Sequence, residues 1–183
     1  MLWNAFLSKG FKEQGKQKSD ELEVTLLKAS KNNKYPVLCD MSPCLYTMKE
    51  NMQDSLHVYE PAEFILEYLK DELKFTPIQE TVSIFPVCSS KKMEVDTLLV
   101  ELGELCAKDV IVPETNCCGF AGDRGFTHPE LNAHGLRNLK EQIFDNTQRA
   151  YATSRTCEIG LSKHSEINHE SIVYLVDEVT EPK

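Results

Sequence analysis

Apolar residues recur along this chain in short blocks, some at helical spacing and some as compact runs, with polar or proline-bearing stretches between them. From Ser19 to Ser30, Leu22, Leu26 and Ala29 share one helical stripe, and Ser19 or Asp20 is suited to cap its start. Tyr35 to Cys39 predicts a short buried strand. Asp40-Met41-Ser42-Pro43 then turns into a helix reaching about Asn51, with Pro43 in the first turn. Leu56 to Tyr59 predicts a second strand, and Glu60 to Leu73 a helix that turns Phe64, Ile65, Tyr68 and Leu69 inward. Thr76 to Gln79 reads as a linker. Beyond it the pattern predicts a strand at Val82–Phe85, a helix from Met93 to Leu105 and a strand at Val110–Val112. A helix from Pro129 to Phe144 follows, with Leu131, Leu136, Leu139 and Ile143 as core positions. The chain closes with a weak strand signal after Tyr151 and a short apolar helix from Ser171 to about Val179. Strands alternating with helices predict an α/β fold with small, mainly parallel sheets flanked by helices.

Composition narrows the function classes. The chain has 183 residues, a 41% hydrophobic content and a net charge of −9. Such an acidic balance argues against a nucleic-acid surface, which needs a basic face. No apolar run approaches the roughly 20 residues that span a bilayer, and the N-terminus lacks the pattern of a signal peptide. The expected location is cytoplasmic, or peripheral to the inner membrane through a partner. Seven cysteines in such a chain point to metal ligands and buried thiols rather than to a disulfide framework.

The chemistry concentrates in Asn116-Cys117-Cys118-Gly119-Phe120-Ala121-Gly122-Asp123-Arg124-Gly125-Phe126, flanked at a distance by Cys88 and Cys157. Adjacent cysteines followed by glycine are rarely needed to pack a core. Cys88, Cys117, Cys118 and Cys157 can supply four thiolates to one metal cluster. Gly119, Gly122 and Gly125 allow left-handed backbone and close approach to a bulky ligand, and their N–H groups can hydrogen-bond to cluster sulfide. Arg124, Lys91 and Lys92 would place positive charge beside an anionic cluster. Four thiolates also suit structural Zn²⁺, although a vicinal pair is an awkward chelate for one tetrahedral ion. A redox-active vicinal pair is a third reading. Cys39 and Cys106 fit buried thiols, and the histidines show no zinc-type spacing with the cysteines.

An internal repeat is also visible. Lys9-Gly10-Phe11 resembles Arg124-Gly125-Phe126, with Cys44 34 positions after Gly10 and Cys157 32 positions after Gly125. Glu60, 16 positions after Cys44, and Glu170, 13 after Cys157, each open an apolar helical stretch. Each unit thus reads as glycine loop, helix, strand, cysteine, short helix and closing helix. The boundaries are a partial first unit over 1–76 and a complete second unit over 77–183. A counterpart of Cys117-Cys118 in the first unit would fall near Leu2-Trp3, where there is no cysteine, so the chain is expected to be a fragment truncated at its N-terminus.

These residues resemble the cysteine-rich CCG domain, in which a cysteine, a Cys-Cys-Gly and a final cysteine pair are separated by long gaps. Here 28 residues separate Cys88 from Cys117 and 38 separate Cys118 from Cys157. Such domains occur in tandem in the heterodisulfide reductase catalytic subunit, the glycolate oxidase iron–sulfur subunit and FAD-linked D-lactate dehydrogenases. Val87-Cys88-Ser89-Ser90-Lys91-Lys92-Met93, the Cys-Cys-Gly loop, the stretches Ser154 to Ser162 and Val173 to Glu178, and Asp40-Met41-Ser42-Pro43-Cys44 look most like the C-terminal region of the last group. Two positions depart from the pattern. Gly160 stands where the last cysteine falls, so the fifth thiolate of a heterodisulfide reductase-type cluster is missing, and Phe85 stands where many relatives carry histidine.

The resemblance implies an iron–sulfur cluster of the 4Fe–4S type on Cys88, Cys117, Cys118 and Cys157. It also implies electron transfer from a flavin-bearing dehydrogenase domain or subunit to an acceptor. FAD itself would belong to a missing N-terminal region or a partner chain, since no phosphate-binding fingerprint is visible here. By itself the chain is expected to be inactive as a dehydrogenase. Thiol–disulfide chemistry and a zinc-bound or metal-free partner-binding module are the competing readings.

Overall fold

The computed structural model describes residues 6, 9–52, 56–143 and 147–183. The stretch near Leu2-Trp3, where the counterpart of the cysteine pair is expected, and Phe144 lie outside them. The chain divides into two compact units, Met1–Pro61 and Ala62–Lys183.

The first unit opens with α1 (Lys12–Ala29). It begins before the expected Ser19 because Lys12 to Lys18 are mostly straight-chain helix formers with no apolar period to announce them. Its buried positions are Gly15, Ser19 and Glu23, whereas Leu22 and Leu26 are half-buried and Ala29 is exposed. The expected Leu22–Leu26–Ala29 stripe is therefore rotated, and Ser19 lies inside the helix rather than at its cap. The helix ends where Lys31, Asn32 and Asn33 take φ of 52°, 56° and 61°. The Ser30 hydroxyl accepts from the Asn33 N–H, and the Asn33 side chain accepts from the His57 N–H. Next come β1 (Val37–Leu38), α2 (Ser42–Asn51) and β2 (Val58–Tyr59), with β1 parallel to β2. Pro43 occupies the first turn of α2, Leu45 and Met48 are buried, and the buried Ser42 hydroxyl donates to the Glu60 carboxylate.

The second unit starts on the helix α3 (Pro61–Phe64), which widens into a π-helical turn over Ile65–Leu69. Ile65 is buried, but Tyr68 is exposed and stacks on Phe64 instead of entering the core. The expected helix stops short of Leu73 because β3 (Leu73–Phe75) pairs antiparallel with the C-terminal strand β8 (Thr180–Pro182). The expected linker at Thr76–Gln79 is likewise overridden: β4 (Ile78–Ile84) begins there and reaches β5 (Ala107–Ile111) across a register shift between Ile78 and Thr81. Between them lie α4 (Cys88–Lys92) and α5 (Asp96–Cys106).

After β5 come α6 (Arg124–Thr127), α7 (Pro129–Gly135), α8 (Leu139–Gln142), β6 (Arg149–Ala152), α9 (Arg155–Ser165), β7 (His169–Ser171) and α10 (Ile172–Val179). The single helix expected from Pro129 breaks after Gly135. Its Leu131 is 48% exposed, while Leu136, Leu139 and Ile143 are core residues as expected. Strands β5, β4, β6 and β7, in that order, form one parallel sheet. Successive strand residues face opposite sides. Val82, Ile84 and Tyr151 pack with Leu99, Leu102, Cys106, Ile172 and Leu175 on one side. Phe85 and Ala152 pack with Cys118, Phe120, Leu136, Leu139, Cys157 and Leu161 on the other. Among the described residues no helix is long and apolar enough to cross a membrane.

Candidate functional site

Parallel strands end on one edge of their sheet, and the loops that leave them there meet. Cys88 opens α4 directly after β4, Cys117 and Cys118 lie in the loop after β5, and Cys157 lies in the first turn of α9 after β6. Three neighbouring strands thereby deliver the four sequence-predicted cysteines to one place. Cys118 and Cys157 are buried, Cys88 is half-buried and Cys117 is exposed. The Cys118 Sγ lies 2.7 Å from the Cys157 Sγ. The Cys117 sulfur lies close enough to those of Cys88 and Cys118 for both to shift its titration.

Protons are shared unevenly along this row of sulfurs. The hydrogen bonds from Cys118 and Cys88 hold the Cys117 thiol well below its ordinary range, with the Gly119 N–H, 3.4 Å from its sulfur, and the Lys91 ammonium assisting. The bond to Cys118 lowers Cys157 against the upward push of burial. Cys88, beside Cys117, and Cys118, beside Cys117 and Cys157, are pushed up by these sulfur neighbours, and burial adds to both. Among the described residues no group of three or more His, Cys, Asp or Glu side chains is disposed to hold a single metal ion. The sulfurs form a row of neighbours, not a closed cage. Four thiols side by side are chemically suited to thiophilic metal ions, which would bind them as thiolates and displace their protons.

The loop glycines serve different ends. Gly119 has φ of +71° and Gly122 +79°. Gly122 has open space where a Cβ would stand, whereas at Gly119 a Cβ would lie 2.5 Å from the Leu131 carbonyl oxygen. The expected left-handed backbone does not extend to Gly125, which is buried in α6. A Cβ there would strike the Phe120 ring at 2.7 Å. Arg124 is exposed at the start of α6. Lys91 donates to the Thr115 carbonyl at 3.5 Å, and Lys92 lowers Cys88 against the stronger upward effects.

Sequence reasoning passed over the groups that brace this row. Ser90 and Thr153 meet at 3.3 Å in the buried layer between α4 and the end of β6. Glu158, buried one residue beyond Cys157, pairs with Arg155 at 2.8 Å. Asn132 is 3% exposed, and its side-chain amide donates to the Cys118 carbonyl. These pairings carry no signal of their own in the sequence, because each partner comes from another element or another turn. Phe85 is packed into the apolar cluster beneath the thiols. Cys39 and Cys106 are buried, as expected, and burial pushes them up to about 11 and about 12. No protein-family model, curated protein or solved structure matches this chain.

Proposed function

We propose that this chain is the iron–sulfur electron-transfer region of a FAD-linked D-2-hydroxyacid dehydrogenase of the D-lactate type. It consists of two tandem CCG units, a partial first one and a second one that carries all four of the site cysteines. One 4Fe–4S cluster is held by Cys88, Cys117, Cys118 and Cys157, and the flavin is supplied by another region of the protein or a partner subunit. The observation that carries this reading is the row of four sulfurs at the carboxyl ends of β4, β5 and β6. When bound, the cluster supplies a one-electron station between flavin and acceptor.

The chain's own residues have separable tasks. Cys117 and Cys157, whose thiols are held down, and Cys88 and Cys118, whose thiols are pushed up, would all bind the cluster as thiolates, their protons passing to solvent. Gly119 and Gly122 shape the loop around the cluster, and Gly125 lets the Phe120 ring close its underside. Lys91, with Lys92 and Arg124 nearby in sequence, offsets the negative charge on the thiolates. Phe120, Leu136, Leu161 and Phe85 keep water from the inner thiols. The protein is cytoplasmic, or peripheral to the inner membrane through its partner.

Iron and acid-labile sulfide analysis of protein purified without air tests the reading; brown protein containing both is expected. Colourless protein with one tightly bound zinc would overturn it. A second reading, thiol–disulfide exchange, is favoured by the 2.7 Å approach of Cys118 to Cys157. It is distinguished by catalysed reduction of a small disulfide in iron-free protein.

A further inference from the structure

Under the cysteine pair, three segments meet with no space to spare. Asn132 on α7 is 3% exposed and donates its side-chain amide to the Cys118 carbonyl. Its Cα would lie 2.9 Å from a Cβ added at Gly119. A Cβ added at Gly160 on α9 would collide with the Asn132 amide nitrogen and would lie 3.1 Å from its Cγ. The same Cβ would lie 2.9 Å from the Phe120 ring. One side chain thus touches the segment of Cys117-Cys118-Gly119 and the helix that carries Cys157. It occupies the volume that any residue larger than glycine at 160 would need.

We propose that Asn132 is a positioning residue that fixes Cys118 against Cys157 and, by filling the space beside Gly160, limits the site to four thiolates. The inference rests on the metal-binding reading above and deepens it. Its physical basis is independent of metal. An amide donor buried beside a carbonyl loses its partner's compensation when removed, and a closely packed interior resists an added side-chain atom. Position 160 is therefore closed to a fifth ligand by packing. A cysteine there would have to evict Asn132 and so disturb Cys118, which is already a ligand. The constraint runs from the α7–α9 contact to the number of sulfurs the site can offer.

The test compares the full chain with its Asn132→Asp and Gly160→Cys variants. Asn132→Asp keeps the side chain's shape but turns the donor facing the Cys118 carbonyl into an acceptor. Metal-free protein is pulsed with iodoacetamide without air, and alkylation is read at each cysteine by mass spectrometry. In Asn132→Asp, Cys118 should be alkylated at least tenfold faster than in wild type, while Cys106, buried in the other core, keeps its wild-type rate. Unchanged labelling of Cys118 would overturn the proposal, and so would equal acceleration at Cys106, which marks general unfolding. After anaerobic incubation with ferrous iron and sulfide, Gly160→Cys should hold no more iron than wild type, and its introduced thiol should be alkylated no more slowly in loaded than in metal-free protein. Protection of that introduced thiol in loaded protein would also overturn the proposal. If wild type takes up no iron or sulfide, the proposed function fails, while the metal-free labelling still decides the role of Asn132.

Discussion

The sulfurs of Cys118 and Cys157 approach to 2.7 Å although the residues are 39 positions apart in the chain. Both are buried, and each belongs to a segment leaving a different strand of one parallel sheet. Apolar thiols packed for bulk alone need no such sulfur-to-sulfur approach. This pair and its two neighbours, Cys117 and Cys88, lie together at the carboxyl edge of the sheet.

Replacing single cysteines should separate ligands from packing. On the proposed reading wild-type protein prepared without air should contain iron and sulfide, and Cys117→Ser and Cys118→Ser should contain neither. Cys106→Ser should keep both, because Cys106 lies in the core on the other side of the sheet. Its cost, on the order of 1–3 kcal/mol for a buried hydroxyl without a partner, should appear only in chemical denaturation.

The two loop glycines should respond differently to alanine. At Gly125 a methyl group would meet three atoms of the Phe120 ring at 2.7 to 2.8 Å, so Gly125→Ala should destabilise by about 1–3 kcal/mol through overpacking. Gly122 has open space but a φ of +79°, so Gly122→Ala should cost only about 1 kcal/mol of backbone strain. Thermal unfolding of the two variants gives the comparison, and an equal loss in both would contradict it.

His169 should make stability depend on mild acid. Burial holds its pKa down to about 4 from the ordinary 6.5, opposed by the hydrogen bond to the Ile167 carbonyl. Below pH 6.5 the unfolded chain gains a proton that the folded chain refuses until about pH 4. Stability is therefore fully present above 6.5 and falls as pH drops toward 4, by up to about 3 kcal/mol. Urea titrations across this window should show the slope, and His169→Leu should flatten it. A slope unchanged in that variant would assign it to other groups.

Shortening the chain should reveal where its second unit begins. Ala62 and Ile65 belong to the core formed by Leu99, Leu102 and Leu175, and β3 pairs with the C-terminal β8. A chain over 77–183 lacks those residues and that strand, although it carries all four site cysteines. It should therefore unfold at lower denaturant than a chain over 62–183. Hydrogen exchange at the Lys183 N–H, which donates to the Glu72 carbonyl, should be fast in the shorter chain and slow in the longer. Equal midpoints would place the boundary at 76 after all.

In the absence of any flavin-bearing subunit, the purified chain should not reduce an artificial acceptor with D-lactate. Turnover by protein freed of other subunits would contradict the assignment of the flavin to another region or partner.

The sequence by itself determined the alternation of strands and helices, the cysteines that meet and the glycine loop between them. Those features are local: an apolar period, a proline in a first turn, two thiols beside a glycine. Leu136, Leu139, Ile143 and Ile65 enter the core as their spacing requires. Where contacts come from afar, the pattern was silent or misleading. The polar start of α1 has no apolar period to announce it. Leu73–Phe75 continues a helical pattern yet becomes a strand, because the chain's last residues lie beside it. Leu131 has helical spacing but faces outward, since Asn132, one residue on, turns inward to the Cys118 carbonyl. Only the tertiary structure decided that Gly160 is closed to a side chain and that Cys118 lies against Cys157. Both depend on how α7 and α9 pack beside the loop after β5, and no local spacing encodes the distance between segments that meet only after folding.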